Sequence, residues 1–215
     1  MGYIMNDINQ LLNILDNFLK NCKNDDEKIN ILNIIRSKIH EYSPLNEEPV
    51  DCVLWVKAEK ILANDYNPNA MAPSEKRLLT LSIEADGFTQ PVVVARDGEE
   101  HYRVVDGFHR YMIGKKAKGL GRHLKGYLPV TIIRSGRENK ALRIAATIRH
   151  NRARGKHQTA SMSDIVKDLA RQGWSDETIG KELGMDKDEV LRLKQISGLV
   201  ELFSCETFSE AWTVR

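Results

Sequence analysis

The chain has 215 residues, 41% of them hydrophobic and 29% charged, with a net charge of +2, the balance of a globular protein large enough for one sizeable domain or two small ones. No stretch approaches the roughly 20 apolar residues of a membrane span, and the N-terminus lacks the basic and apolar regions of a secretory signal. Cys22, Cys52 and Cys205 are too scattered for a disulfide framework or a zinc site, so a reducing cytoplasm is the expected setting. The small net charge hides a strong imbalance: residues 101–158 hold 15 Lys and Arg against two acids, Asp106 and Glu138, a local charge of +13, and the segments on either side are net acidic. Such a block points to a polyanion, either phosphates or a nucleic-acid backbone. The alternative is a solvated face balanced in space by the acidic flanks.

Residues 6–41 read as two helices joined at Asn24-Asp25-Asp26. Ile8, Leu11, Leu12, Leu15, Phe18 and Leu19 recur at helical spacing in the first, and Ile31, Leu32, Ile35 and Ile39 in the second. Asp25 or Asp26 is the expected cap of the second helix. A hairpin confined to residues 1–44 cannot bury these stripes alone, so it docks on the body, on a second copy or on a partner. Ser43 to Pro49 is a polar, proline-containing linker.

A module over residues 50–137 follows. Val53–Val56, Val92–Val94, Tyr102–Val105 and Val130–Ile133 read as strands, the second and third joined by a turn at Asp97-Gly98. Ser74–Ala85 and Phe108–Lys118 read as helices. Strands interleaved with helices make this an α/β or α+β module, with a mixed arrangement of sheet and helix. Residues 138–200 read as all-α, with breaks at Gly155, Gly173 and Gly184, and 201–215 as an apolar tail containing Phe203, Phe208 and Trp212.

Tyr102-Arg103-Val104-Val105-Asp106-Gly107-Phe108-His109-Arg110-Tyr111 is strand, tight turn and helix in succession. Asp106 suits an N-cap, and Gly107 permits close approach of backbone or ligand. Unpaired N–H groups in the first helical turn attract an anion, and His109 and Arg110 add side-chain donors at the same end. The bland alternative is a capped helix carrying two surface cations.

Three ordered motifs carry a family resemblance. Gly87-Phe88-Thr89-Gln90-Pro91-Val92-Val93-Val94 resembles the first nucleotide-binding box of ParB proteins, at the expected distance after Asn67-Pro68. Asp106–Arg110 takes the place of the second box and of the histidine-arginine turn of sulfiredoxin and free serine kinases. His150-Asn151-Arg152-Ala153-Arg154 lies where ParB carries its third. The chain thus resembles the ParB/sulfiredoxin superfamily over roughly residues 52–200, and within it the IbrB-type regulators.

The resemblance implies a nucleoside triphosphate, CTP or ATP, held with Mg2+ by Gln90, Asp106, Gly107, Phe108, His109, Arg110, Asn151, Arg152 and Arg154. Asn151 would be the metal ligand. It further implies a bacterial or phage, nucleoid-associated protein that binds DNA, forms a homodimer and has a phosphoadenosine-phosphosulfate-reductase-like partner. Two positions depart from ParB: His150 replaces an acid, and the D-G-x-H-R form lies nearer the kinase and sulfiredoxin branch, so the base need not be cytosine.

Arg134 to His157 concentrates eight Lys and Arg around one acid. Leu142, Ile144, Ala145, Ala146 and Ile148 supply a packing face, so the cations are expected outward, with Arg149 on DNA phosphates. Ser163–Gln172, Ser175–Leu183 and Asp186–Ile196 read as three short helices, with caps at Ser175 and Asp186 and a capping box completed by Glu189. Gly180, Gly184 and Val190 have helix-turn-helix spacing, with Ile165, Leu169, Ile179, Leu183, Val190 and Leu193 as the core. Lys187 and Arg192 are the cations placed to read bases, although acids at the helix start leave a purely structural helix-turn-helix open.

The leading expectation is a nucleotide-binding, DNA-binding transcriptional regulator. The alternative is a nucleotide-dependent enzyme, a phosphotransferase or NTPase in which Asp106 and His109 do catalytic acid–base work. A nuclease ranks last, for want of a carboxylate cluster suited to two metals.

Overall fold

The computed structural model describes residues 2–64, 71–116, 123–137, 139–152 and 159–203, and side chains over 5–64, 71–116, 123–137, 139–150 and 162–196. The two amphipathic segments at the start form α1 (Gly2–Lys20) and α2 (Asp25–Glu41). Asn24, not Asp25 or Asp26, caps α2: its backbone is extended and its side chain accepts from the Glu27 N–H at 2.8 Å. The two aspartates are turned to the body instead, where Asp25 pairs with Lys125 and Asp26 accepts from Lys57 at 2.7 Å and from the Tyr127 hydroxyl at 2.9 Å.

The sheet is built from β1 (Leu54–Lys57), β2 (Ile61–Leu62), β3 (Val92–Asp97), β4 (His101–Asp106) and β5 (Tyr127–Ile132), in the order β1-β5-β3-β4-β2. β1 is antiparallel to β5 and β3 to β4, whereas β5–β3 and β4–β2 are parallel. β2 escapes a sequence reading because two residues are too few to show alternation; parallel pairing with Tyr102 and Arg103 defines it. β1 forms one edge, and an edge leaves backbone groups unpaired. Asn33 of α2 covers this one: its amide donates to the Trp55 carbonyl at 2.6 Å and accepts from the Trp55 N–H at 3.0 Å. α2 therefore docks on the body. Leu11, Leu12 and Phe18 of α1 remain exposed, as does Ile39 of α2.

One face of the sheet packs Val92, Val94, Val104, Leu128 and Val130 against Tyr111 of α4 (Phe108–Lys116), beside α3 (Pro73–Asp86). Gly114 makes that approach possible: a Cβ there would overlap Leu128 and lie 2.9 Å from Phe88. The other face, through Ala95 and Val105, receives Ala146 of α5 (Lys140–Arg152). The opposite stripe of α5, Ala141, Ile144, Ala145 and Ile148, joins the core of α6 (Thr159–Arg171), α7 (Asp176–Leu183) and α8 (Lys187–Phe203).

α5 is thus buried on two sides, and the expected row of outward cations is broken. Arg143 is turned inward, with its Nη1 3.6 Å from the Asp97 carboxylate. The physical reason is a helix sandwiched between a sheet and a helical domain, which leaves little of its circumference to solvent.

In the helix-turn-helix the caps fall as expected. Ser175 Oγ accepts from the Thr178 N–H at 3.1 Å, and Asp186 Oδ1 from the Glu189 N–H at 2.7 Å. Ile165, Leu169, Ile179, Leu183, Val190 and Leu193 are all buried. Gly180 lets the turn close, because a Cβ there would lie 2.8 Å from the Met185 carbonyl. Gly155 lies outside the described residues.

Candidate functional site

β4 passes into α4 through Gly107, whose φ of 83° lies in the region that glycine tolerates. The same position is crowded, since a Cβ would stand 3.0 Å from Nη2 of Arg110. The Gly107 carbonyl accepts from the Tyr111 N–H at 2.9 Å, so Gly107 flanks the helix. Asp106, expected as the N-cap, is one residue too early for that and is instead buried at the end of the strand. The N–H groups at the start of α4 have no carbonyl one turn back to bond to, and with the helix dipole they favour an anion.

A β-bulge shapes this end of the sheet. Val93 pairs with Asp106 and Val94 with Val104, leaving Val105 as the extra residue. The Val105 carbonyl is taken up by the buried hydroxyl of Thr147, at 2.7 Å. Antiparallel pairing also brings the residues before β3 alongside the turn, and there Arg110 Nη1 donates to Gln90 Oε1 at 3.0 Å. Arg110 Nη2 lies 3.9 Å from the Asp106 carboxylate, and the two side chains are only 14% and 5% exposed. Residues 20 apart in the chain thus converge through one guanidinium. Phe108 packs into the core, its ring edge-on to His109 at 5.6 Å. Burial holds the His109 imidazole below its ordinary pKa, and the charge of Glu75 opposes the shift.

Gln90, Asp106, Gly107, Phe108, His109 and Arg110 therefore share one locus. α5 runs from Arg143 beside Asp97 to Thr147 beside Val105, a course that carries its last residues toward the same turn. Asn151 and Arg152 end that helix; their side chains, and Arg154 entirely, lie outside the described residues. Two site-end residues are absent from a motif reading. Thr147 is signalled only by being a hydroxyl within an aliphatic stripe, and Asn64 by its place before Asp65-Tyr66-Asn67-Pro68.

Among the described residues, several cations of the basic block are met by acids from its flanks. Arg103 pairs with Asp97 at 2.6 Å, Arg134 with Glu48 at 2.7 Å and Lys125 with Asp25. Arg137 reaches Glu182 at 2.9 Å. Arg149 bonds the same carboxylate and donates to the Glu182 carbonyl at 2.9 Å, tying α5 to α7. Lys187 and Arg192 are exposed on α8, with Arg192 Nε 3.4 Å from the Asp188 carbonyl.

The lowered His109 pKa has a signed consequence. An unfolded chain takes up the proton first as pH falls, so the stability contributed by a neutral ring is complete above about pH 6.5 and is lost as pH falls toward the lower folded value. Thermal melts between pH 7.5 and pH 5 should show a smaller acid-induced decrease in His109→Gln than in the parent protein. Parallel decreases would contradict this assignment.

A family profile for the ParB N-terminal domain matches residues 40–147, half of the chain, and one for the IbrB-like C-terminal HTH domain matches residues 157–205. The uncharacterized protein YbdM of Escherichia coli (strain K12) is 59% identical over 191 residues, covering 89% of this chain and 90% of its own. Two solved structures of the C-terminally truncated chromosome-partitioning protein ParB from Caulobacter crescentus are looser matches. The complex with CTP-γ-S is 18% identical, covering 70% of this chain and 83% of its own with a TM-score of 0.40. The complex with the centromeric parS site is 16% identical, covering 69% and 75% with a TM-score of 0.46. The chain belongs to the ParB N-terminal domain family and carries an IbrB-like helix-turn-helix domain at its C-terminal end.

Proposed function

We propose that the protein is a DNA-binding regulator whose ParB-type module binds a nucleoside triphosphate, CTP or ATP, at the Gly107 turn. The observation that carries this reading is the convergence of Gln90, Asp106 and Arg110 on the N-terminus of α4. A phosphate arriving there meets helix N–H groups and can draw the Arg110 guanidinium from Gln90 and Asp106 into a charge-assisted contact. Family membership and the attached helix-turn-helix support the same reading.

Mg2+ prefers oxygen ligands and is commonly held by one or two protein groups together with substrate phosphates. The described residues contain no group of three or more His, Cys, Asp or Glu able to hold a metal alone. The ion would therefore arrive with the nucleotide and meet a single protein oxygen, which the resemblance assigns to Asn151. We assign the turn to binding rather than to acid–base catalysis, because the Asp106 carboxylate is buried and faced by Arg110.

Calorimetry with CTP and ATP in the presence of Mg2+ tests the nucleotide. Arg110→Ala should weaken binding by about 1.5–3 kcal/mol, the range for a hydrogen bond to a charged group. Failure of the parent protein to bind either nucleotide overturns the proposal.

In the same proposal Lys187 and Arg192 contact bases and Arg149 contacts the phosphate backbone, where it would exchange Glu182 for a phosphate. Duplex affinity should fall by roughly 0.9 log units per log unit of salt for each phosphate contacted. Arg192→Ala should relax sequence preference, whereas Arg149→Ala should weaken all sequences about equally. A site preference untouched by Arg192→Ala would leave the helix-turn-helix a packing or partner-binding unit.

A further inference from the structure

Asn64 lies two residues beyond the short edge strand β2. It is only 7% exposed, and neither its Oδ1 nor its Nδ2 has a hydrogen-bond partner. A carboxamide offers one acceptor and two donors, and each buried group left unpaired costs about 1–3 kcal/mol. Such an omission calls for a cause, since an apolar side chain of similar volume would avoid the cost. The other buried side-chain atom without a partner among the described residues is Nε of Arg143, whose guanidinium is already beside Asp97. Asn64 differs in that its whole polar group is unpaired.

Its position is fixed by the parallel ladder. Ile61 pairs with Tyr102 and Leu62 with Arg103, and the Ala63 carbonyl continues the contact by accepting from Arg103 Nη1 at 3.0 Å. Extending that register sets Asn64 level with Val105, one residue short of Asp106. β2 and β4 therefore deliver Asn64 and the Asp106-Gly107 turn to the same end of the sheet. α4 spans both strands, with the Tyr111 hydroxyl donating to the Ile61 carbonyl at 3.0 Å.

We infer that Asn64 hydrogen-bonds the uncharged half of the nucleotide, a sugar hydroxyl or a base edge, while the phosphates take the N-terminal end of α4. This rests on the nucleotide reading above. A neutral amide can donate to a phosphate but brings no charge to it, and the nearby Asp106 carboxylate repels one. Arg110 and the helix N-terminus already serve the charged end. Hydroxyls and base edges present donors and acceptors together, the pattern that an unpaired carboxamide matches. Binding would then satisfy a group that the empty fold leaves unsatisfied.

The test compares full-length parent and Asn64→Leu proteins, by thermal melting without ligand and by calorimetry with CTP, ATP and inorganic tripolyphosphate. Asn64→Leu should melt at or above the parent temperature, bind tripolyphosphate as the parent does, and bind the parent's nucleotide about tenfold or more weakly, the equivalent of one lost buried hydrogen bond. A 2′-deoxynucleotide arm separates the two contacts: a loss confined to the ribonucleotide assigns the hydroxyl, and a shared loss the base. Nucleotide binding at parental strength overturns the inference while leaving the proposed function intact. A lowered melting temperature together with lost tripolyphosphate binding, repeated in the smaller Asn64→Ala, also overturns it by making Asn64 structural. A parent protein that binds no nucleotide refutes both.

Discussion

The double burial of α5 is the constraint on which the rest of the architecture hangs. One stripe of this helix, Ala141, Ile144, Ala145 and Ile148, is part of the helix-turn-helix core, while Ala146 enters the sheet. Thr147 supplies the polar link, filling the carbonyl that the bulge at Val105 leaves out of the ladder. Because packed interiors transmit strain rather than absorb it, the bulge and Asp106 next to it are mechanically tied to α5 through the Thr147 contact. The Arg149 and Arg137 contacts to Glu182 continue the connection into α7. The turn and the helix-turn-helix domain therefore share one helix.

The turn itself is arranged around competition for a cation. Without an anion, Arg110 is shared between the Gln90 amide and the Asp106 carboxylate, a placement that keeps a buried carboxylate from being wholly uncompensated. Under the proposed function, an incoming phosphate would compete for the same guanidinium. In that reading the cost of withdrawing it from Asp106 would limit the affinity, and a metal ion arriving with the phosphates would reduce that cost.

Much of this was legible in the residues. Asp106-Gly107 was legible as the strand-to-helix junction that starts α4, and the Gly180, Gly184 and Val190 spacing, with caps at Ser175 and Asp186, as the helix-turn-helix. Other features depend on tertiary partners that no local pattern encodes. Asn24 displaced Asp25 and Asp26 as the cap of α2 because those acids had cations and a tyrosine to meet across the chain. Arg143 turned inward because a helix flanked by a sheet and a domain has little outer face. The large central charge read as a polyanion site, yet at Arg103, Lys125, Arg134 and Arg137 it is matched by acids from the flanks. Asn64 was invisible because an asparagine before a turn looks ordinary until its burial is known.

Backbone amide NMR during titration with CTP or ATP and Mg2+ tests the phosphate assignment most directly. Phosphate at the N-terminal end of α4 should shift the Gly107, Phe108, His109 and Arg110 amides together with the side-chain amide of Gln90, in proportion to site occupancy. A nucleotide that binds while leaving these signals unmoved, or that leaves every signal of the protein unmoved, would contradict it.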